Sequence, residues 1–154
     1  MDALSPHLNG AVLQFTLSGL VVPKARPQFN QGQVYLPSTY RIWREQAIVE
    51  LLQQKQKVST DYPIPFPIKL HIIYQGTANA DADNIAGSIM DALRYAKIIK
   101  NDNLKHVQQL ILEFIPTPKK YAQTLIKIMQ ANTATYNHSH KSLKSQSKQL
   151  KTKT

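Results

Sequence analysis

The sequence predicts an α+β domain in which a mixed β-sheet packs against two main helices. Two amphipathic stretches supply the helices. Tyr40, Trp43, Ala47, Ile48, Leu51 and Leu52 recur at helical spacing, as do Ile85, Ile89 and Leu93 with Ala86, Ala92 and Ala96 beside them. Alternating or β-branched apolar runs before, between and after these stretches supply the strands. A chain of 154 residues, 42% of them hydrophobic, is long enough for one domain with a core of its own.

Residues 1 to 10 hold Pro6, Gly10 and little periodicity, and disorder is expected there. The domain is expected to run from 11 to 131. From 132 to 154 Ser, Thr, Asn, Gln and Lys dominate, which predicts a disordered basic tail. Within the domain, Val12, Phe15, Leu17, Leu20, Val21 and Val22 make a strand that ends at Pro23. Lys24 and Arg26 follow in a turn fixed by prolines. Asn30-Gln31-Gly32-Gln33 is a turn, so that Val34-Tyr35-Leu36 pairs back onto the first strand. Pro37-Ser38-Thr39 opens the first helix with Ser38 or Thr39 as cap, and its stripe places Trp43 in the core. Pro63, Pro65 and Pro67 stiffen the path to a strand at 67 to 75, where His71 belongs to the sheet surface. Residues 107 to 115 form a further strand with Leu110, Leu112 and Phe114 on one face. The chain turns at Pro116-Thr117-Pro118 and returns over 121 to 129 as the antiparallel neighbour of that strand.

Composition narrows the function. The absence of cysteine removes disulfides, thiolate metal sites and cysteine nucleophiles together. No apolar run approaches the ~20 residues of a membrane span, and the first ten residues do not read as a signal peptide, so a cytoplasmic protein with no membrane partner is expected. Nineteen Lys+Arg against nine Asp+Glu give a net charge of +10, an excess for which nucleic acid is the usual partner. Five lysines of the tail carry half of it, and the remaining fourteen basic residues still outnumber the acids.

Against that basic background three acids fall in one region. Asp81 and Asp83 are two apart after Gly76-Thr77-Ala78-Asn79, and in an extended segment their side chains point the same way. Asp83 or Asn84 is placed to cap the helix that follows, and the helix dipole favours an acid there. Capping explains one aspartate. It does not explain Asp81, Asp83 and Asp102 together in a chain with so few acids, and Mg²⁺, or Mn²⁺ in its place, is the usual partner of such a group. An EF-hand starting at Asp81 is excluded, because its glycine and closing acid would fall on Ala86 and Ala92.

The run D-A-D-N-I-A-G-S-I-M-D-A-L-R-Y-A-K-I-I-K-N-D-N, residues 81 to 103, resembles the signature of the RusA-type Holliday junction resolvases. Val22-Pro23-Lys24-Ala25-Arg26-Pro27 resembles that family's P-x-K-x-R-P stretch, and the order of elements agrees over roughly 12 to 130. The resemblance implies that Asp81, Asp83 and Asp102 are the catalytic, metal-binding aspartates and that Asp91 is the helix aspartate of D-A-L. It implies a structure-selective endodeoxyribonuclease that resolves junctions in DNA recombination and repair. One position departs. Where the family often has a catalytic lysine, four residues after the second aspartate, this chain has Gly87, which keeps a non-catalytic junction binder as the alternative.

Phosphate contacts are expected from Lys24, Arg26, Arg41, Arg44, Lys97 and Lys100, since branched DNA is recognised by shape and backbone. Helix length adds an expectation about assembly. A helix over 84 to 97 spans about 21 Å, and the five residues that follow reach at most about 16–18 Å, so Asp102 returns to Asp81 and Asp83 of its own chain only by running straight back. A homodimer in which each metal site is shared between subunits avoids that constraint.

Overall fold

A computed structural model describes residues 12–131; the disorder expected at 1–10 and 132–154 concerns residues outside that range. In order, the elements are β1 (Leu13–Ser18), β2 (Gln28–Asn30), β3 (Gln33–Tyr35), α1 (Ser38–Lys55), β4 (Ile68–Gly76), α2 (Ala82–Tyr95), β5 (Val107–Pro116) and β6 (Gln123–Gln130), with a 3₁₀ turn at Lys119–Tyr121 before the last strand. The main sheet has the order β1-β6-β4-β5 and is mixed: β4 and β5 run parallel, while β6 is antiparallel to both β4 and β1. The α+β class with two main helices is what the sequence predicts.

The strand order differs from expectation, for physical reasons. Residues 121 to 129 do not return beside 107 to 115. The helical crossover α2 carries the chain back to the start of β4, so β5 pairs with β4 in parallel, as such connections require. β6 then takes the place between β4 and β1, where Ile126 and Ile128 are fully buried; of β5, only Val107 is buried. The first strand is also shorter than 12 to 22, because Gly19 adopts a left-handed conformation (φ +76°) directly after Ser18. The residues near Val34 pair with β2 rather than with β1, in a separate hairpin turned by Gln31 and Gly32, both at positive φ. Neither helix uses the expected cap. α1 starts after Pro37 and α2 after Asp81, without a side-chain capping hydrogen bond in either case.

One face of the sheet carries the core. Phe15, Leu70, Ile72, Ile126 and Ile128 meet Leu51 of α1 and Ile89 and Leu93 of α2, and Trp43 is buried among the same cluster. His71 lies half-buried on the other face, where its Nε2 is 2.7 Å from Glu113 on β5.

The two edges of the sheet are treated differently. Along β1, Gln54 of α1 reaches down as a mock strand: its Oε1 accepts from the Thr16 N–H and its Nε2 donates to the Thr16 carbonyl, both at 2.7 Å. Glu50, one turn earlier, accepts from the N–H and hydroxyl of Ser18. At the opposite side, β5 pairs only with β4 among the described residues, and Leu110, Ile111, Phe114 and Ile115 are 39–44% exposed.

Gly76 ends β4 beneath the ring of Tyr74, so close that a Cβ would lie 2.5 Å from Tyr74 Oη and 2.6 Å from Cζ. Because that ring is buried and must shift, Gly76→Ala is expected to cost about 1–3 kcal/mol, read as a lower midpoint in chemical denaturation.

Candidate active site

β4 delivers the chain, through Thr77 to Ala80, to Asp81 at the N-cap of α2 and Asp83 in its first turn. Both are exposed. The ordinary explanation of an acid here is capping, yet Asp81 makes no side-chain capping bond to the helix. The two carboxylates are hard oxygen donors, open to solvent and close in sequence, which is the chemistry a divalent cation of the Mg²⁺ type takes.

Asp102 is not beside them. It is half-buried beyond the end of α2, in a turn where its N–H donates to Asn101 Oδ1 at 2.8 Å. The pairing of β4 with β5 fixes its place: Ile68 is opposite Val107 and Gly76 opposite Pro116. Asp81 follows the finishing end of β4 by five residues, and Asp102 precedes the starting end of β5 by five. The two ends of a nine-residue strand are roughly 26 Å apart at ~3.3 Å per residue. Among the described residues, no three His, Asp or Glu side chains of one chain are placed to hold a metal ion together.

Strand β1 does not lie beside β4, because β6 intervenes. The basic segment after β1 reaches the site by packing on α2 instead. The Lys24 N–H donates to the Asn84 carbonyl at 3.1 Å, and the Ser88 hydroxyl donates to the Val22 carbonyl at 2.7 Å. Between these contacts the Lys24 stem crosses Gly87, where a Cβ would be 3.3 Å from Lys24 Cδ. Its ammonium ends one helical turn further on, 3.1 Å from Asp91.

Asp91 is the residue whose role the sequence reading missed. Its side chain is 4% exposed and accepts from Tyr40 Oη at 2.6 Å, Lys24 Nζ at 3.1 Å and Arg94 Nη2 at 3.5 Å. Burial first, then the bond and charge of Asp91, push the Tyr40 hydroxyl far above its ordinary pKa, so it remains a donor. Tyr40 therefore does more than fill the apolar stripe of α1. The available signal was a charged residue within the apolar face of the second helix.

The other basic candidates divide by location. Arg26 and Arg41 are exposed. Arg44 stacks its guanidinium 4.4 Å from the Tyr95 ring centroid, which holds it against α2. Lys97 and Lys100 are exposed after the end of α2, close in sequence to Asp102. A cleft of about 190 Å³, lined by Tyr74, Ala78, Ala80, Ile85, Leu112 and Phe114, lies beside Asp81.

Residues 19–129 match the family model described as Endodeoxyribonuclease RusA. The chain is 35% identical to a crossover junction endodeoxyribonuclease RusA of Aquifex aeolicus (strain VF5) over 94 residues, 60% of this chain and 73% of that protein. No helix of the described residues is long and apolar enough to cross a membrane.

Removing Asp91 leaves Tyr40 Oη without its buried acceptor, while Lys24 and Arg94, both more than a third exposed, are screened by solvent and lose less. Asp91→Ala is expected to cost about 2–4 kcal/mol and Tyr40→Phe about 1–2 kcal/mol in urea denaturation.

Proposed function

The chain belongs to the RusA family of Holliday junction endodeoxyribonucleases, and we propose that it resolves four-way junctions by paired, Mg²⁺-dependent phosphodiester cleavage in DNA recombination and repair. The observation that supports the metal reading is the pair of exposed carboxylates at the start of α2, of which Asp81 is not used as a side-chain cap. Asp81, Asp83 and Asp102 would hold the cation, with Mn²⁺ able to replace Mg²⁺. Bound there, the metal supplies charge stabilisation at the scissile phosphate and lowers the pKa of water.

The chain's own groups position the DNA. Lys24 is anchored on Asp91, and Val22 and Lys24 are held against α2, which leaves Arg26, exposed two residues on, as the phosphate clamp of that segment. This answers the absence of a lysine at Gly87: the cation comes from the P-x-K-x-R-P segment that crosses that glycine. Arg41, Lys97 and Lys100 extend the phosphate-binding surface. The placement of Asp102 at the opposite end of the βαβ unit supports a homodimer in which each site takes Asp81 and Asp83 from one subunit and Asp102 from the other. Two sites related by a two-fold axis match the symmetric cuts that resolution needs.

Gly87 also favours a second reading, a junction-binding protein without cleavage. Incubation with a synthetic four-way junction decides between them: cutting in Mg²⁺ or Mn²⁺ supports the nuclease, and binding without cutting supports the alternative.

Asp83→Asn is expected to abolish cleavage while junction binding persists, because it removes a ligand and one negative charge with little change of shape. Arg26→Ala is expected to reduce the cleavage rate more than affinity. Mixing Asp83→Asn with Asp102→Asn protein tests the shared site: heterodimers regain one complete site and nick the junction. If the mixture stays inactive while unmutated protein cuts, the site is built within one chain.

A further inference from the structure

Resting on the reading of the chain as a junction endonuclease, we propose that the β2–β3 hairpin recognises the branch point. Phe29, near its tip, stacks on a base exposed where the four DNA arms meet.

The hairpin stands apart from the core. Neither strand joins the main sheet among the described residues, and both are exposed throughout. A two-stranded hairpin is marginal in water when nothing packs on it. This one nonetheless carries Phe29 at 78% exposure and, directly across the ladder, Val34 at 60%. Opposed residues of a hairpin share a face, so these two form one small apolar surface. The turn that joins the strands is only Gln31-Gly32, both at positive φ, which keeps the tip narrow.

Charge identifies the occupant as nucleic acid and, within it, the bases. Residues 27 to 40 hold no Lys, Arg, Asp, Glu or His, although the chain has a net charge of +10. Lys24 and Arg26 stand before that stretch, and Arg41 and Arg44 after it. Cations at the root of the hairpin suit phosphates, whereas an uncharged tip gains nothing from them. What the tip offers is an aromatic ring with the amides of Asn30, Gln31 and Gln33 beside it in sequence, groups that stack on bases and hydrogen-bond their edges. Intact duplex keeps its base faces covered by their neighbours; an open branch point exposes them. A protein partner fits less well, since two side chains bury far less than the ~1,200 Å² of a stable protein interface.

Both roots of the hairpin are fixed to the helix that begins at the carboxylates. The Lys24 N–H donates to the Asn84 carbonyl in the first turn of α2, and beyond the hairpin Tyr40 Oη donates to Asp91 of the same helix at 2.6 Å. A hairpin rooted in this way holds the branch point in a set relation to Asp81 and Asp83. Cleavage is thereby tied to junctions, although duplex DNA can use the same phosphate contacts.

The chain's one tryptophan, Trp43, is buried, so Phe29→Trp adds an exposed indole at the hairpin. Without divalent cations, so that nothing is cut, a synthetic four-way junction is expected to quench the new emission, and a duplex of the same sequence is not. Phe29→Ala is expected to weaken junction binding about 10-fold and to leave duplex affinity unchanged. The salt dependence of junction binding should stay as in the parent, since no phosphate contact is lost, and Phe29→Tyr should restore affinity. Equal quenching by duplex, no quenching by a junction that binds, or an unaltered junction affinity of Phe29→Ala each overturns the proposal. So does a smaller species of free Phe29→Ala protein in sedimentation with its junction preference intact, which makes the hairpin a contact between copies. A parent that binds junction and duplex alike overturns the junction reading itself, and the proposal falls with it.

Discussion

A carboxylate cannot be buried in an apolar interior without partners, and the way Asp91 is neutralised organises one whole side of this domain. Its three donors come from three places. Tyr40 belongs to α1, Lys24 to the segment after β1, and Arg94 to α2 itself. Satisfying one acid thus ties the second helix to the first and pins the basic segment across Gly87. Such a network gives little net stability over an apolar equivalent, but it admits only one arrangement of its members. What it contributes here is the fixed seat of Val22 and Lys24 against the first turns of α2.

Local features of the fold are legible in the sequence because they are set by local physics. The period of Ile85, Ile89 and Leu93 forms α2, and the alternation of Ile68, Leu70 and Ile72 forms β4. The aspartates between them stand where the sequence places them, at the strand-to-helix turn. Strand order is not local. Nothing in residues 121 to 129 says which partner they choose; that follows from α2 returning the chain to the start of β4 and from the need to bury Ile126 and Ile128 between two strands. The helix starts are not legible for a related reason: Pro37 and Asp81 precede the first helical residues, and no side chain completes either cap. Asp91 is readable as an acid on a helix. Its partners, 51 and 67 residues away in sequence, are not.

The separation of Asp81 from Asp102 is a property of the βαβ unit rather than of these particular residues. In any such unit the segment leaving the first strand and the segment entering the second lie at opposite ends of the parallel pair. Helix α2 cannot close that distance, since its length is what spans it. A ligand set divided between these two segments is therefore split by topology, whatever the side chains prefer.

The closure of β1 by Gln54 and Glu50 bears on stoichiometry. A sheet open at both edges has no natural end: each added copy offers a fresh strand, and growth leads toward fibres. Here one edge has its backbone groups at Thr16 and Ser18 already taken by side chains of α1. Whatever joins at β5 leaves only sealed edges behind it. Growth by edge pairing would stop at β1, where one amide, Gln54, and one carboxylate, Glu50, on the same helix occupy the strand's outward groups.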